Sequence, residues 1–391
     1  MTNDEQANPG MIPEPAALVV DQHALSALVT RLRGRPWVAI DTEFLRERSY
    51  YPRLCLVQVA DIREIACIDV LALEDLSPLA TLLDDRSVTK VFHAAGQDLE
   101  ALHLTTGVAP HPIFDTQVAA ALLGHPDQIG YAPLVQAMLG VALAKSHTRS
   151  DWSRRPLGSE ALAYAADDVR YLAQIYPQLI TQLEQRGRLP WLDGEFTHLV
   201  DNATTTPDPD QAWRRIKAAA RLPAGAQQAL ARLAAWREHT AMHADRPRGW
   251  ILKDDVLVDL ARRRPTDKAA LAGIRGLPDA VQRKHGAAIL GCIRNAADAD
   301  KAPLATPRPA LDAGQAAVVD LLMSGLRARA AEMDIAPATL ASRRDLEALV
   351  AGDEQIALLQ GWRRAAAGEA VLALLAGKLA LRAGRAGVEL D

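Results

Sequence analysis

Cysteine is scarce in this 391-residue chain, with only Cys55, Cys67 and Cys292 present. None forms a C-x-x-C pair and none has histidine partners at zinc spacing, so a disulfide framework and a structural zinc site are both excluded, and a reducing compartment fits. Long apolar runs are also missing: none reaches the roughly 18 residues that a membrane helix needs. The opening MTNDEQANPG carries Asp4 and Glu5 in place of a basic start followed by an apolar segment, so export is not expected and the reading is a cytoplasmic protein. Lysine is rare, 8 residues against 36 arginines, a bias that a GC-rich genome also produces and that lowers the weight of any single arginine.

What is present is a chain 49% apolar and 24% charged, with a formal net charge of -4, which excludes a disordered protein. At roughly 100 to 200 residues per domain the length predicts two or three domains. The near-balanced charge conceals two opposite regions. Residues 1–200 hold 16 basic against 25 acidic side chains, whereas residues 211–301 hold 18 against 9. Such asymmetry is expected when an acidic metal site and a basic polyanion-binding module share a chain, although drifting surface charge produces it too.

Short apolar runs at Val38–Ile40, Leu54–Ala60 and Glu64–Val70 predict three consecutive strands in an antiparallel meander, with a fourth at Val88–Phe92. Helical periodicity covers Leu71–Leu83, Asp98–Leu104, Thr116–Leu123 and Glu160–Leu183, so the first 200 residues predict an α/β sandwich. Strand signals then stop. Linker compositions at 202–209 (NATTTPDP) and 301–309 (KAPLATPRP) each precede 80 to 90 residues of Ala, Leu and Arg-rich helix. The two blocks read as a diverged repeat, Trp250-Ile251-Leu252 aligning with Ile335-Ala336-Pro337 at an offset of 85 and Asp255–Leu260 with Arg344–Leu349 at 89.

Three segments carry chemistry. In Ile40-Asp41-Thr42-Glu43-Phe44 two carboxylates sit two apart at the end of an apolar strand, hence on one face. Side by side they repel, unless a hard divalent cation offsets the repulsion; a solvated strand edge is the alternative. Val91 to Leu99 runs from strand through a small-residue turn into helix, placing Asp98 in the first helical turn, where any acid is favoured by the macrodipole. On a third segment, Tyr164 and Asp168 are four apart on one helix face, while Asp167 is turned about 100° away.

Taken together, DTEF, VFHAAGQDLE and YAADDVRYL resemble the three exonuclease motifs of the DEDD superfamily of 3′–5′ exonucleases, in the subgroup with Tyr in the third motif. Phe114-Asp115-Thr116-Gln117 and the stretch Lys145 to Trp152 extend the likeness toward the bacterial ribonuclease D family. Arg246-Pro247, Trp250-Ile251-Leu252 and Gly276-Leu277-Pro278 resemble the helical HRDC module. The resemblance implies a ribonuclease H-like α/β exonuclease domain over residues 1–205, followed by two all-α HRDC-like domains over 210–297 and 308–391. It implies metal ligands Asp41, Glu43, Asp98 and Asp168 for two divalent ions, with Asp41 shared between them, and Tyr164 orienting the attacking water. Hard oxygen ligands favour Mg²⁺ or Mn²⁺ over Zn²⁺.

The activity so implied is 3′–5′ exoribonuclease action releasing 5′-mononucleotides by two-metal hydrolysis. The implied partners are precursor tRNA and other small structured RNAs, with no membrane and a monomeric chain. Phe44 points to the face opposite Glu43 and either stacks on the terminal base or fills the core; His93 either contacts the substrate 3′ end or is structural. Lys145 and Arg149, with Arg154 and Arg155, suit a loop over the phosphates. Arg214, Arg215, Lys217, Arg246, Arg248 and Lys253 are candidates for sequence-independent backbone binding. A DNA exonuclease and a catalytically silent nucleic-acid-binding adaptor are the competing readings. The motifs do not separate the first, and the intact carboxylate set argues against the second.

Overall fold

The computed structural model describes residues 16–143, 150–297, 311–385 and 387–391. Six strands form one sheet: β1 (Ala17–Val19), β2 (Trp37–Leu45), β3 (Arg53–Ala60), β4 (Ile65–Ile68), β5 (Thr89–Phe92) and β6 (Ile113–Asp115), in the order β1-β4-β3-β2-β5-β6. β3 and β4 pair antiparallel as the meander requires, while β1 runs parallel to β4, β5 to β2, and β6 to β5. The two edge strands of three residues each, β1 and β6, are too short to leave a periodic signal and were not expected.

Helices cover both faces, giving the predicted sandwich. One core joins Val38, Ile40, Val57 and Val59 to α1 (Gln22–Leu32), α2 (Ser77–Asp84) and α3 (Gly96–Thr106), with α7 (Leu192–Thr204) packed against it. The other joins Ala39, Ala60 and Val91 to α4 (Thr116–Ala121), α5 (Tyr131–Leu139) and α6 (Ser159–Gln185). Two sequence boundaries are corrected. The helix expected from Leu71 starts only at Ser77, because Pro78 suits the first turn but not the interior, and Asp75 accepts from the Ser77 amide at 2.8 Å. The linker expected from Asn202 begins after Thr204, since α7 continues through Ala203, which packs on the core.

Lys90 is among the largest fully buried side chains of the described residues. Its ammonium donates to the carbonyls of Asp85 (2.8 Å), Val88 (2.9 Å) and His111 (2.6 Å), spending all three protons where no water reaches. Burial pushes its pKa down to about 8, which still leaves it charged at pH 7. Lys90→Met strips the donor from three carbonyls, and at roughly 1 kcal/mol or more for each unpaired buried group the variant should lose about 3 kcal/mol in urea unfolding.

The described residues of the chain fall into two compact units, one drawn from 1–44, 54–204 and 310–391, the other from 45–53 and 205–309. The second contains α8 (Ala224–Ala244), α9 (Arg248–Ile251), α10 (Asp254–Arg263), α11 (Lys268–Ala272) and α12 (Asp279–Ala297) around Leu230, Leu233, Leu257 and Ile289. The later helical block belongs to the first unit, with α13 (Ala313–Glu332), α14 (Pro337–Leu340) and α15 (Arg343–Val350) around Leu322, Leu326 and Leu346. α8, α9 and α10 start at 224, 248 and 254, and α13, α14 and α15 at 313, 337 and 343, so the offset is 89 throughout. The repeat therefore keeps one register, and the alignment at 85 is corrected.

A further departure from the all-helical expectation is a hairpin, β7 (Leu381–Gly384) with β8 (Gly387–Leu390), whose Leu381 and Leu390 pack on the core of the later block. This block is clasped to the exonuclease domain. Trp362 stacks on Trp191 (4.6 Å between centroids, 4° between planes) and donates to Glu195 at 3.0 Å, while the Arg363 guanidinium grips both oxygens of the same carboxylate.

Candidate active site

The catalytic face follows from strand alternation. Val38 and Ile40 point into one core and Ala39 into the other, beneath α6, so Asp41 and Glu43 project toward α6. That helix buries Val169 and Leu172 against the sheet and brings Asp168 over the strand. One carboxylate oxygen from each of Asp41, Glu43 and Asp168 lies within 4.8 Å of the other two, the one such group of potential metal ligands found among the described residues.

The electrostatics are those of a site built for cations. Burial, with Asp168 as the next cause, raises Asp41 to about 8; burial, Asp41 and Asp168 raise Glu43 to about 9; burial and Asp167 raise Asp168 to about 7. Asp98 is also pushed well up, by burial and then by Asp41. Acids so placed hold their protons near neutrality unless divalent charge replaces them. The donor set is all hard oxygen, which fits Mg²⁺ or Mn²⁺.

Asp98 arrives by a different route. Asp115, 1% exposed at the end of β6, caps α4 through the amides of Gln117 (2.8 Å) and Val118 (3.3 Å). It also accepts from Ala94 (3.2 Å) and Ala95 (2.8 Å), fixing the turn before α3 in which Ala94 adopts a left-handed φ of 59°. That turn aims the first turn of α3, where the Asp98 Oδ1 accepts from the Thr42 hydroxyl at 2.5 Å. Thr42 lies between Asp41 and Glu43 and holds the fourth acid from the strand's reverse face. The structure thus brings Asp41, Glu43 and Asp168 together and sets Asp98 beside Thr42, close enough to Asp41 to feel its charge. Asp115→Ala leaves four amides without their acceptor and should cost about 2 to 4 kcal/mol, with turnover falling as Asp98 loses its support; urea unfolding and initial rates check both.

Tyr164 is half-buried one turn before Asp168, and burial followed by Asp168, Glu43 and Asp41 pushes its phenol far up. It is therefore a hydrogen-bond donor at neutral pH and no base. Trp152, 4% exposed, lies 6.3 Å from it, ring to ring. The loop bearing Trp152 is fastened by Arg155, whose Nε and Nη2 donate to the two carboxylate oxygens of buried Asp69 (2.5 and 2.6 Å) and which also donates to the carbonyls of Trp152 (2.7 Å) and Cys55 (3.0 Å). Arg155, expected over the phosphates, is instead the clamp of this loop. Asp167 turns away as its spacing predicts and pairs with Arg170 at 2.9 Å, and its carbonyl accepts from Tyr131 at 2.8 Å.

The remaining candidates divide. Phe44 packs partly buried against the first core, as its core reading has it. His93 is held by Thr116 (Nδ1 to Oγ1, 3.0 Å), which itself donates to the Phe92 carbonyl, and burial lowers its pKa. Lys145 and Arg149 lie outside the described residues. Arg214, Arg215, Lys217, Arg246, Arg248 and Lys253 are all exposed on the second unit, Arg214 lying 5.5 Å over the Trp213 ring. Thr42, Asp115, Tyr131 and Arg155 were missed as supports. Only Asp115, in FDTQ, left a sequence signal, an acid at the junction of a strand and a helix.

Comparison with known proteins agrees with this geometry. The 3′-5′ exonuclease family profile matches residues 17–184, and the HRDC domain profile matches residues 226–293. The chain is 42% identical over 374 residues to ribonuclease D of Sphingobium indicum, covering 93% of this chain and 95% of that one. It is also 42% identical over 381 residues to ribonuclease D of Gluconacetobacter diazotrophicus, at 94% and 95% coverage. The crystal structure of Escherichia coli RNase D superposes with a TM-score of 0.82 at 33% identity, covering 93% and 99% of the two chains. With its carboxylate cluster on an exonuclease fold and a helical module of HRDC type later in the sequence, the chain belongs to the ribonuclease D family of 3′–5′ exoribonucleases.

Proposed function

We propose that the protein shortens RNA from its 3′ end one nucleotide at a time, releasing 5′-monophosphates, and that Asp41, Glu43, Asp98 and Asp168 hold two divalent ions, Mg²⁺ or Mn²⁺, for the reaction. The observation that carries this reading is the triad of raised carboxylates within 4.8 Å beside a half-buried, protonated Tyr164. Bound there, such ions supply an activated water and stabilise the leaving 3′ oxygen. The chain's own residues do the rest. The carboxylates give up their protons to accept the ions, Tyr164 donates a hydrogen bond that orients the water, and Arg155 with Trp152 keeps Tyr164 in place.

Precursor tRNAs and other small structured RNAs are the proposed substrates, acted on by a monomer in the cytoplasm. The Escherichia coli relative, described as an exoribonuclease involved in structured RNA processing, supports that substrate class. No described helix is long and apolar enough to cross a membrane. The test is RNA and DNA of matched sequence, uniformly labelled and incubated with Mg²⁺, Mn²⁺ or chelator. Mononucleotide release from RNA, abolished by chelator, is expected; internal cuts or metal-independent cleavage overturn the assignment, and equal digestion of both strands selects the DNA-exonuclease alternative.

A further inference from the structure

On the second unit a cavity of about 460 Å³ is lined by Arg46, Ser49, Tyr50, Arg215, Glu238 and Arg248, among others. Glu238 is 1% exposed on α8, and an isolated buried carboxylate is expensive. Its Oε1 accepts from the Tyr50 hydroxyl at 2.6 Å, and Nη1 of Arg215 and of Arg248 stand 4.0 and 3.9 Å from the same oxygen. Its Oε2 has no hydrogen-bond partner. At about 4 Å the two arginines are attracted to Glu238 without forming hydrogen bonds with it, so this carboxylate orients them but does not spend their donors. Arg215 and Arg248 set two positive charges against the one carboxylate of Glu238, and Arg46 lines the same space. Guanidinium forks match phosphate oxygens, and a carboxylate at their back favours the orientation that meets a phosphate in front.

The loop that supplies Arg46, Ser49 and Tyr50 is itself tied to the helical module, the Asp245 Oδ1 accepting from the amides of Tyr50 (3.0 Å) and Tyr51 (3.1 Å). Asp245 is in the left-handed region, with φ 45° at the end of α8, and so presents its side chain to this loop. The cavity wall is thus built from two segments distant in sequence and braced from both sides. A patch of solvated arginines on one helix has no such construction.

We propose that this cavity is a discrete binding site for a backbone phosphate of the RNA substrate, held between Arg215 and Arg248 with Arg46 at the rim. The proposal rests on the exoribonuclease reading and adds to it a defined place where substrate is gripped by the HRDC-type module. It differs from diffuse attraction to a basic surface, because removing two arginines from the cavity has to matter more than removing two cations elsewhere on the same unit.

The experiment titrates full-length protein in chelator with a fluorescent 20-nucleotide RNA at several salt concentrations, comparing wild type with Arg215→Gln/Arg248→Gln and with the charge-matched Arg283→Gln/Lys284→Gln on α12, after circular dichroism has shown equal folding. The cavity variant is expected to bind at least about tenfold more weakly, with the slope of log Kd against log salt reduced by roughly 0.7 for each single-strand phosphate that is no longer neutralised, and the α12 variant is expected to change much less. Arg215→Lys/Arg248→Lys should recover part of the affinity. Equal losses from the two pairs, or unchanged affinity in the cavity variant, overturn the site while leaving the ribonuclease intact. Failure of the wild type to release mononucleotides from the same RNA when Mn²⁺ replaces chelator would instead overturn the exoribonuclease reading, so the two failures are distinct.

Discussion

Asp41→Asn should abolish metal-dependent RNA hydrolysis and at the same time stabilise the metal-free protein. The rate should fall on the order of 10³-fold or more, since several kcal/mol of charge stabilisation at the reacting phosphate depends on this carboxylate and each 1.4 kcal/mol is tenfold. The stability gain follows from the raised proton affinities. Asp41, Glu43 and Asp168 have folded pKa values of about 8, 9 and 7, all above the ordinary carboxylate range near 4. For a group raised in the folded state, the associated stability is complete below the unfolded pKa and is lost as pH rises toward the folded one. In chelator, wild type should therefore lose stability from about pH 4 upward to about pH 8 or 9.

Asparagine removes one ionising group and relieves its neighbours. The Tm difference between variant and wild type should widen from pH 5 to pH 8 and level off above, reaching on the order of 5 °C if about 2 kcal/mol is at stake at roughly 2 to 4 °C per kcal/mol. Adding Mn²⁺ should raise the wild-type Tm and narrow or reverse the gap, because the ion binds the folded state that keeps all the acids. Differential scanning fluorimetry across pH, with and without metal, measures all of this. A variant that still hydrolyses RNA, or one less stable than wild type in chelator at pH 8, contradicts the metal role of Asp41.

Tyr164→Phe should leave the fold and metal response intact while kcat falls about 10²-fold, a typical loss when a positioned group at the reacting centre is removed. KM should stay within a factor of about two, because the phenol is assigned to the water and not to the RNA. The pH dependence separates this role from general-base catalysis. With its pKa pushed far above the ordinary phenol value, Tyr164 donates a hydrogen bond throughout the neutral range and contributes no ionisation to the wild-type profile there. Wild type and Tyr164→Phe should then share the shape of log kcat against pH between 6 and 9 and differ only in height. A changed shape implicates the phenolate, and near-normal turnover removes Tyr164 from the mechanism.

These two residues were readable from sequence for the same reason: each belongs to a pattern whose spacing has one geometric meaning. Positions two apart on a strand share a face, and positions four apart on a helix do as well, so Asp41 with Glu43 and Tyr164 with Asp168 were pairs before any fold was known. Asp167 was separable from Asp168 by the same rule, and it pairs with Arg170 away from the metal ligands. The sandwich was legible because short apolar runs gave way to helical periodicity at recognisable breaks. β1 and β6, three residues each, were not, since such short segments carry too few positions to show a period.

Arg155 shows where local pattern stops informing. In sequence it is one of several cations in a polar stretch, indistinguishable from Arg154. In the fold it meets Asp69, 86 residues away, and becomes a loop clamp. Alternation turns Thr42 from the catalytic face, yet α3 reaches it from the other side and makes it the support of Asp98. The repeat register was similarly out of reach, since Ala and Leu-rich helices align almost equally well at several offsets, and the helix starts settle it at 89.

The sequence by itself determined the chemical groups, their pairwise facing within single elements, the opposition of an acidic and a basic region, and the order of modules. Those are consequences of backbone period and composition, which act over a few residues or over whole segments. The tertiary structure alone decided which acids converge, which arginines clamp a loop or line a cavity, and that the last helical block is bolted to the exonuclease domain through Glu195, Trp362 and Arg363. The strength of an ion pair or the cost of a buried carboxylate depends on distance and dielectric, and both are fixed by contacts between residues far apart in the chain.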